Sequence, residues 1–174
     1  PKVDVARAKA LLKAAGKEGG FSFKLTLPTT PDELQVGQMI QGMLRPAGIS
    51  VTLEKTELAT QIEAGKAGNF EGLFVGWSGR PDPDQNIYDF VTTNGSLNYS
   101  HFGAKEVDDL LQQARVEGDQ AKRKGFYDQA MAILVKEVPY IYTVHDNVLF
   151  GIAKSVKGFQ YVPDGVIRTA TVSK

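Results

Sequence analysis

Apolar positions along the first half of the chain recur first at helical and then at alternating spacing, and the two periods trade places repeatedly. Val5, Ala8, Leu11, Leu12 and Ala15 fall three and four residues apart, with Asp4 placed to cap the helix they predict. Gly16 and the Gly19-Gly20 pair close it. Phe21, Phe23, Leu25 and Leu27 then alternate with Ser22, Lys24 and Thr26, which predicts a half-buried strand. Thr30-Pro31-Asp32-Glu33 has the make-up of a capping box with Pro at the first helical position. The helix it opens is expected to bury Val36, Met39, Ile40, Met43 and Leu44 and to stop near Arg45-Pro46, with Gly48 beyond. A methionine-bearing stripe at this spacing reads as core packing. Ile49, Val51 and Leu53 alternate with Ser50, Thr52 and Glu54 as a second strand, and residues 58–66 form a short helix ended by Gly65 or Gly68. Leu73, Phe74, Val75 and Trp77 make a nearly unbroken apolar run, the pattern of a strand covered on both faces. This α-β-α-β-α-β order predicts an α/β fold whose parallel strands are joined by right-handed crossovers.

The second half is mostly helical. Residues 85–93 read as a short helix with Ile87, Phe90 and Val91 inward, followed by the turn Asn94-Gly95. Asn98, Tyr99, Ser100 and His101 form a polar, aromatic loop without periodicity. Residues 105–117 are amphipathic through Val107, Leu110, Leu111 and Ala114. Asp119 caps the next helix, which is expected to bury Phe126, Ala130, Ile133 and Leu134 and to stop before Pro139. Residues 140–144 and 148–153 pair in the simplest reading as a hairpin across Asp146-Asn147. Residues 156–161 and 166–172 are weaker strand candidates, separated by the turn Pro163-Asp164-Gly165. Without a repeat, low-complexity tract or linker, residues 1–174 read as one domain.

Composition narrows the function classes. A chain of 174 residues with 42% hydrophobic residues supports one well-buried core. Lys+Arg and Asp+Glu both number 20, so no basic field points to nucleic acid and no charge run points to a tail or a membrane surface. With no cysteine, disulfides and thiolate metal sites are excluded. No apolar run has transmembrane length, and residues 1–174 carry no signal-peptide pattern.

The chemistry concentrates in residues 70–88. Ser78-Gly79-Arg80-Pro81-Asp82-Pro83-Asp84 ends the apolar run abruptly, with Gly76 and Gly79 permitting close backbone approach and the two prolines preventing regular pairing. Ligands of open α/β sheets sit outside the carboxyl ends of the strands, so a Trp, an Arg and two Asp delivered there suggest a ligand site. Spacing alone leaves a second reading open, a rigid surface loop closed by an Arg–Asp pair. An enzyme needs a nucleophile with its base, a metal cluster or matched carboxylates. Asp82 and Asp84 are held in a turn by Pro83, a loop-capping arrangement more than an acid–base pair, although a small hydrolase or metal-binding domain using this loop is the alternative. Asp82, Asp84 and Asn86 fall short of a Ca²⁺ loop in ligand number. His101 and His145 have no ligand-spaced neighbours, and no phosphate loop, dinucleotide fingerprint or G-x-S-x-G occurs. No catalytic residue, metal or cofactor is assigned.

An ordered set of short motifs points further. Asp4, Ala8-Lys9-Ala10-Leu11-Leu12 and Gly16 are followed by Gly48-Ile49, then by Phe70-Glu71-Gly72, Gly76-Trp77 and Asp82-Pro83-Asp84. Later come Glu106-Val107-Asp108, Leu111, Ala114-Arg115, Arg123, Tyr127, Gln129-Ala130, Ile133-Leu134 and Pro139, then Val156-Lys157-Gly158-Phe159 and Pro163-Asp164-Gly165. Taken in this order, the chain resembles the C-terminal lobe of a bacterial extracellular solute-binding protein of the large peptide/nickel class that serves ABC importers.

That resemblance implies a single lobe of a type II periplasmic-binding-protein fold, a mixed sheet flanked by helices, with no catalysis. It implies about a third of a two-lobed protein whose missing part, signal peptide included, is N-terminal, and an extracytoplasmic or periplasmic location. Its partners would be a peptide or other small solute, an ABC importer permease and the missing lobe. Residues from about 144 onward would normally return toward that lobe, and left alone would favour self-association. The ligand set it implies is Trp77 and Tyr99 as flat walls, Arg80 as charge, and Ser78, Gly79 and Asn98 as hydrogen-bonding groups, with Asp82, Pro83 and Asp84 shaping the loop. Peptide-binding relatives commonly carry an Asp where this chain has Arg80. A guanidinium there favours a carboxylate or phosphate over an ammonium group.

Overall fold

The computed structural model describes residues 3–145, 147, 149–162 and 166–174. They form two compact units, Pro1–Gly76 and Trp77–Lys174, with the boundary inside the stretch that reads in sequence as one strand running into a loop.

The first unit is built on a parallel sheet of order β2-β1-β3, with β1 Phe21–Leu27, β2 Ile49–Lys55 and β3 Gly72–Leu73. Helix α1 (Val5–Ala14) leads into β1, α2 (Pro31–Leu44) connects β1 to β2, and α3 (Leu58–Ala67) connects β2 to β3. Asp4 caps α1 by accepting a hydrogen bond from the Arg7 N–H at 2.8 Å. Thr30 stands at the N-cap of α2 without a side-chain cap bond, and Pro31 starts the helix. Leu25, Leu27 and Val51 are the buried centre, packed by Phe23, Leu34, Ile40, Leu44, Ile49, Leu53 and Phe74. The C-terminal end of β1, paired on both edges, is the buried end: Thr26 is buried along with Leu25 and Leu27, while Phe21, Ser22 and Lys24 are exposed. Two glycines let the ends of β1 and β2 meet. A Cβ on Gly20, whose φ is +81°, would lie 1.9 Å from the Gly48 carbonyl oxygen.

Three expectations change here. Met39 and Met43 are exposed, because α2 lies on the sheet through Leu34, buried Gly37, Ile40 and Leu44. Leu11 of α1 is exposed as well. The third strand is only Gly72–Leu73, half-buried, and Val75 and Trp77 are exposed. Its pairing is limited by its partner: Leu25 faces Gly72, Thr26 faces Leu73, and the Thr26 carbonyl accepts the Phe74 N–H. β1 ends at Leu27, and Pro28 has no N–H to continue the ladder.

In the second unit, α4 (Asp84–Val91), α5 (Lys105–Val116) and α6 (Gln120–Glu137) close a separate core. Val91, Val107, Leu110, Leu111, Ala130 and Leu134 are buried in it, with Phe90, Phe126, Ile133 and Tyr140 packed around them. The amphipathic stripe of α5 is buried at all four positions the spacing selects, and Asp119 caps α6 by accepting the Lys122 N–H at 2.9 Å. Full burial of a side chain such as Leu111 stabilises by about 1.5–3 kcal/mol.

After α6 the expected strands do not form among the described residues. Residues 141–145 and 149–153 are irregular, with Ile141, Tyr142 and Leu149 largely exposed, while Asp146 and Val148 of the expected hairpin lie outside the described residues. β-rich sequence without a partner strand has nothing to complete its ladder. Antiparallel pairing reduces to an isolated bridge between Lys157 and Ser173, and the turn Pro163-Asp164-Gly165 also lies outside the described residues.

Candidate functional site

The loop that opens the second unit is organised by Asn86, in the first turn of α4. Its Oδ1 accepts hydrogen bonds from Trp77 Nε1–H (3.0 Å) and the Arg80 N–H (2.7 Å). Its Nδ2 donates to the Arg80 carbonyl (2.7 Å) and the Asp82 carbonyl (2.9 Å). One amide therefore uses both its ends to fold residues 77–82 around itself, while the Asp82 side chain accepts the Asp84 N–H at 2.9 Å and starts α4. Gly79 carries φ +73°, the left-handed conformation the turn demands. In sequence Asn86 stands out only as a possible cation ligand beside Asp82 and Asp84; its organising role was signalled by an Asn at the start of a predicted helix just after a Pro-Asp-Pro-Asp turn.

Two arginines from the following helices clasp the loop. Arg123 of α6 donates to both Asp82 oxygens (2.7 and 3.1 Å), to the Ala114 carbonyl and to the Tyr127 hydroxyl. Arg115 of α5 grips Asp84 with Nε and Nη2 at 2.8–3.0 Å, and its guanidinium lies 3.3 Å from the Tyr88 ring centre. The hydrogen bonds from Arg123 and from the Asp84 N–H hold the Asp82 carboxyl below the usual carboxylate range. The same pairings raise Arg115 and Arg123 further above the usual arginine value. A shallow depression lined by Asp82, Asp84, Gln85, Arg115 and Arg123 is thus filled with charges that face one another. Both carboxylates are held by guanidinium forks, which leaves the hydrolase or metal reading of this loop no unengaged carboxylate. Among the described residues no group of three or more His, Cys, Asp or Glu side chains converges on a metal-sized space.

Arg80 is placed differently. Its Nη1 donates to Ser78 Oγ (2.8 Å) and to the Gly79 carbonyl (2.6 Å), and its guanidinium sits 4.6 Å from the centre of the Trp77 ring. It pairs with neither Asp82 nor Asp84, so the loop-closing Arg–Asp pair suggested by spacing uses Arg123 and Arg115 in its place. Trp77 rests edge-to-face on Phe90 at 5.1 Å, and Phe90 on Tyr140 at 6.3 Å. Trp77 is 46% exposed, with its N–H held by Asn86, its ring packed edge-to-face with Phe90 and the Arg80 guanidinium over it.

The structure brings Trp77, Ser78, Gly79 and Arg80 together and treats Asn98 and Tyr99 otherwise. Asn98 is buried and fully engaged: Nδ2 donates to the Thr92 and Phe102 carbonyls, and Oδ1 accepts from Ser100 Oγ and the Phe102 N–H. Tyr99 is also buried. Together they build the 92–102 loop, which Tyr140 ties down by donating its hydroxyl to the Leu97 carbonyl at 3.0 Å.

Comparison with known proteins agrees with this architecture. The dipeptide-binding protein of Escherichia coli is 31% identical over 171 residues, 93% of this chain and 32% of that protein. The solved structure of HbpA2 from Haemophilus parasuis superposes with a TM-score of 0.83 at 27% identity, covering 98% of this chain and 35% of that one. A dipeptide-binding protein from Pseudoalteromonas, solved in complex with Met-Leu, gives a TM-score of 0.78 at 25% identity, covering 98% of this chain and 36% of that one. The chain thus spans 32% of the length of its E. coli relative. Among the described residues no helix is long and apolar enough to cross a membrane. The family model for the bacterial extracellular solute-binding proteins, family 5 (middle region), matches residues 1–98, more than half of the chain, and the chain therefore belongs to that family.

Proposed function

We propose that the chain is part of the substrate-binding component of an ABC importer, which captures a peptide or other small solute outside the cytoplasm and delivers it to a membrane permease. The observation that carries this reading is likeness along nearly the whole chain to a dipeptide-binding protein solved with its ligand. The protein acts by binding and has no catalytic role. Ligand contact falls to the exposed part of Trp77 and to Ser78, Gly79 and Arg80. Asn98, spent on its own loop, and Tyr99, which is buried, act by supporting the surrounding fold. Asp82, Pro83 and Asp84 shape the loop, with Arg123 and Arg115 as the partners of the two carboxylates.

A loop braced before the ligand arrives suits this role, because ordering costs that would otherwise oppose binding are already met by the fold. The exposed side chains Ile141, Tyr142, Leu149, Val166 and Ile167 fit a segment whose apolar surface is covered by the second lobe of the same protein. The test is thermal stabilisation of the full-length protein, screened against dipeptides, dicarboxylates, sugar phosphates, neutral sugars and polyamines. Saturable stabilisation by members of one solute class, with no chemical change in the solute, is expected. Turnover of a stabilising solute, lost on substitution of Asp82 or Asp84, would refute the non-catalytic assignment.

A further inference from the structure

Three guanidinium groups surround the 77–84 loop, and they differ in one respect. Arg115 spends its Nε–Nη2 edge on Asp84, and Arg123 spends its terminal nitrogens on Asp82. Arg80 uses only Nη1, on Ser78 and Gly79, and no carboxylate among the described residues lies within ion-pair distance of it. Its Nε–Nη2 edge, the same edge with which Arg115 grips a carboxylate, has no protein acceptor among the described residues. The backbone of Arg80 is pinned at both its N–H and its carbonyl by Asn86, and its side chain is laid on an indole that is itself hydrogen-bonded. A long side chain held at its base, along its plane and at one nitrogen is oriented in advance, which is the condition for recognising a planar oxyanion through two parallel N–H donors.

We propose that the Trp77–Arg80 face recognises an oxyanionic group, a carboxylate or phosphate, on a solute whose flat or apolar portion lies against the exposed part of the Trp77 side chain. This rests on the solute-binding reading above and narrows it to a ligand class. The two carboxylates within four residues of Arg80 do not compete for it, because Arg123 and Arg115 already occupy them. The clasp thus leaves the positive charge of Arg80 available to the ligand.

The experiment uses the full-length protein and matched probes, Met-Leu with its C-terminal amide and glycerol phosphate with glycerol, measured by titration calorimetry beside the thermal screen. The acid or phosphate of a pair should bind at least about tenfold more tightly than its neutral counterpart, as expected for a bidentate charged contact. Arg80→Gln should erase that difference, and Arg80→Lys should restore part of it by keeping charge without the fork. The pair that discriminates tells carboxylate from phosphate. Arg80 is exposed, so the melting temperature of the unliganded Arg80→Gln protein should stay close to that of the parent. Equal affinity for charged and neutral probes, or a preference that survives Arg80→Gln, overturns the ligand class while leaving the solute-binding reading intact. Failure of every solute in the screen to bind, charged and neutral alike, counts against the solute-binding reading itself and takes this proposal with it.

Discussion

Replacing Asn86 by Ala tests how the loop is held. The substitution removes four hydrogen bonds of 2.7–3.0 Å, two accepted by Oδ1 and two donated by Nδ2. An intramolecular hydrogen bond contributes about 0.5–1.5 kcal/mol net, so a simple sum would reach about 2–6 kcal/mol. Most of these bonds are solvent-exposed, and water replaces part of what is lost. The expected destabilisation is therefore about 1–3 kcal/mol. The 174-residue chain contains a single tryptophan, so its fluorescence reports on this loop directly. Urea unfolding at low protein concentration should show the lower midpoint, with Trp77 emission shifted to longer wavelength as the indole loses its anchor. Asn86→Asp should rescue little, since it keeps the acceptor for Trp77 and Arg80 but loses both donors. A change below about 0.5 kcal/mol, the range of ordinary surface substitutions, with unaltered Trp77 emission would refute the claim that this amide organises the loop.

Three further outcomes follow from the same geometry. Arg115→Ala removes a bidentate bond to Asp84 and the stacking on Tyr88, and should destabilise by about 1–3 kcal/mol in denaturant unfolding, above the usual value of an exposed ion pair because Asp84 is only 17% exposed. Asp82 has a lowered folded-state pKa, so its contribution is present above the unfolded value of about 3.9 and is lost as pH falls through the lower folded value. Arg123→Gln should therefore flatten the acid limb of unfolding midpoint against pH below about pH 4, and an unchanged limb would show that another group controls it. Gly20→Ala drives a methyl group into the Gly48 carbonyl and should cost about 2 kcal/mol or more in a thermal melt, whereas a near-neutral effect would mean that the β1 and β2 ends separate freely.

Periodicity exposed those parts of the fold where each element packs with its immediate neighbours. The stripe of α5, the caps Asp4 and Asp119, and the positions of β1 and β2 all follow from local pattern. Pattern failed where a partner decided the outcome. Val75 and Trp77 have strand composition, but β1 has ended before it can pair with them. Met39 and Met43 are apolar and correctly spaced, yet Gly37 sets the face of α2 that meets the sheet. The tracts after α6 are rich in strand-forming residues, yet their ladder pairing among the described residues is limited to the isolated Lys157–Ser173 bridge. In the site, residues 77–80 were legible as an abrupt change from apolar to polar. The roles of Asn86, Arg115 and Arg123 were not, because Arg115 and Arg123 act from 31 and 41 residues away and spacing carries no information about such contacts.

The central claim, that this chain contributes to the capture of a small solute, is tested most directly by native mass spectrometry of the full-length protein purified without refolding. The account predicts a bound small molecule that is released on denaturation, carries a carboxylate or phosphate, and is absent or greatly diminished in the Arg80→Gln protein prepared in parallel. A protein that is uniformly ligand-free and remains so after exposure to the full solute panel would contradict it.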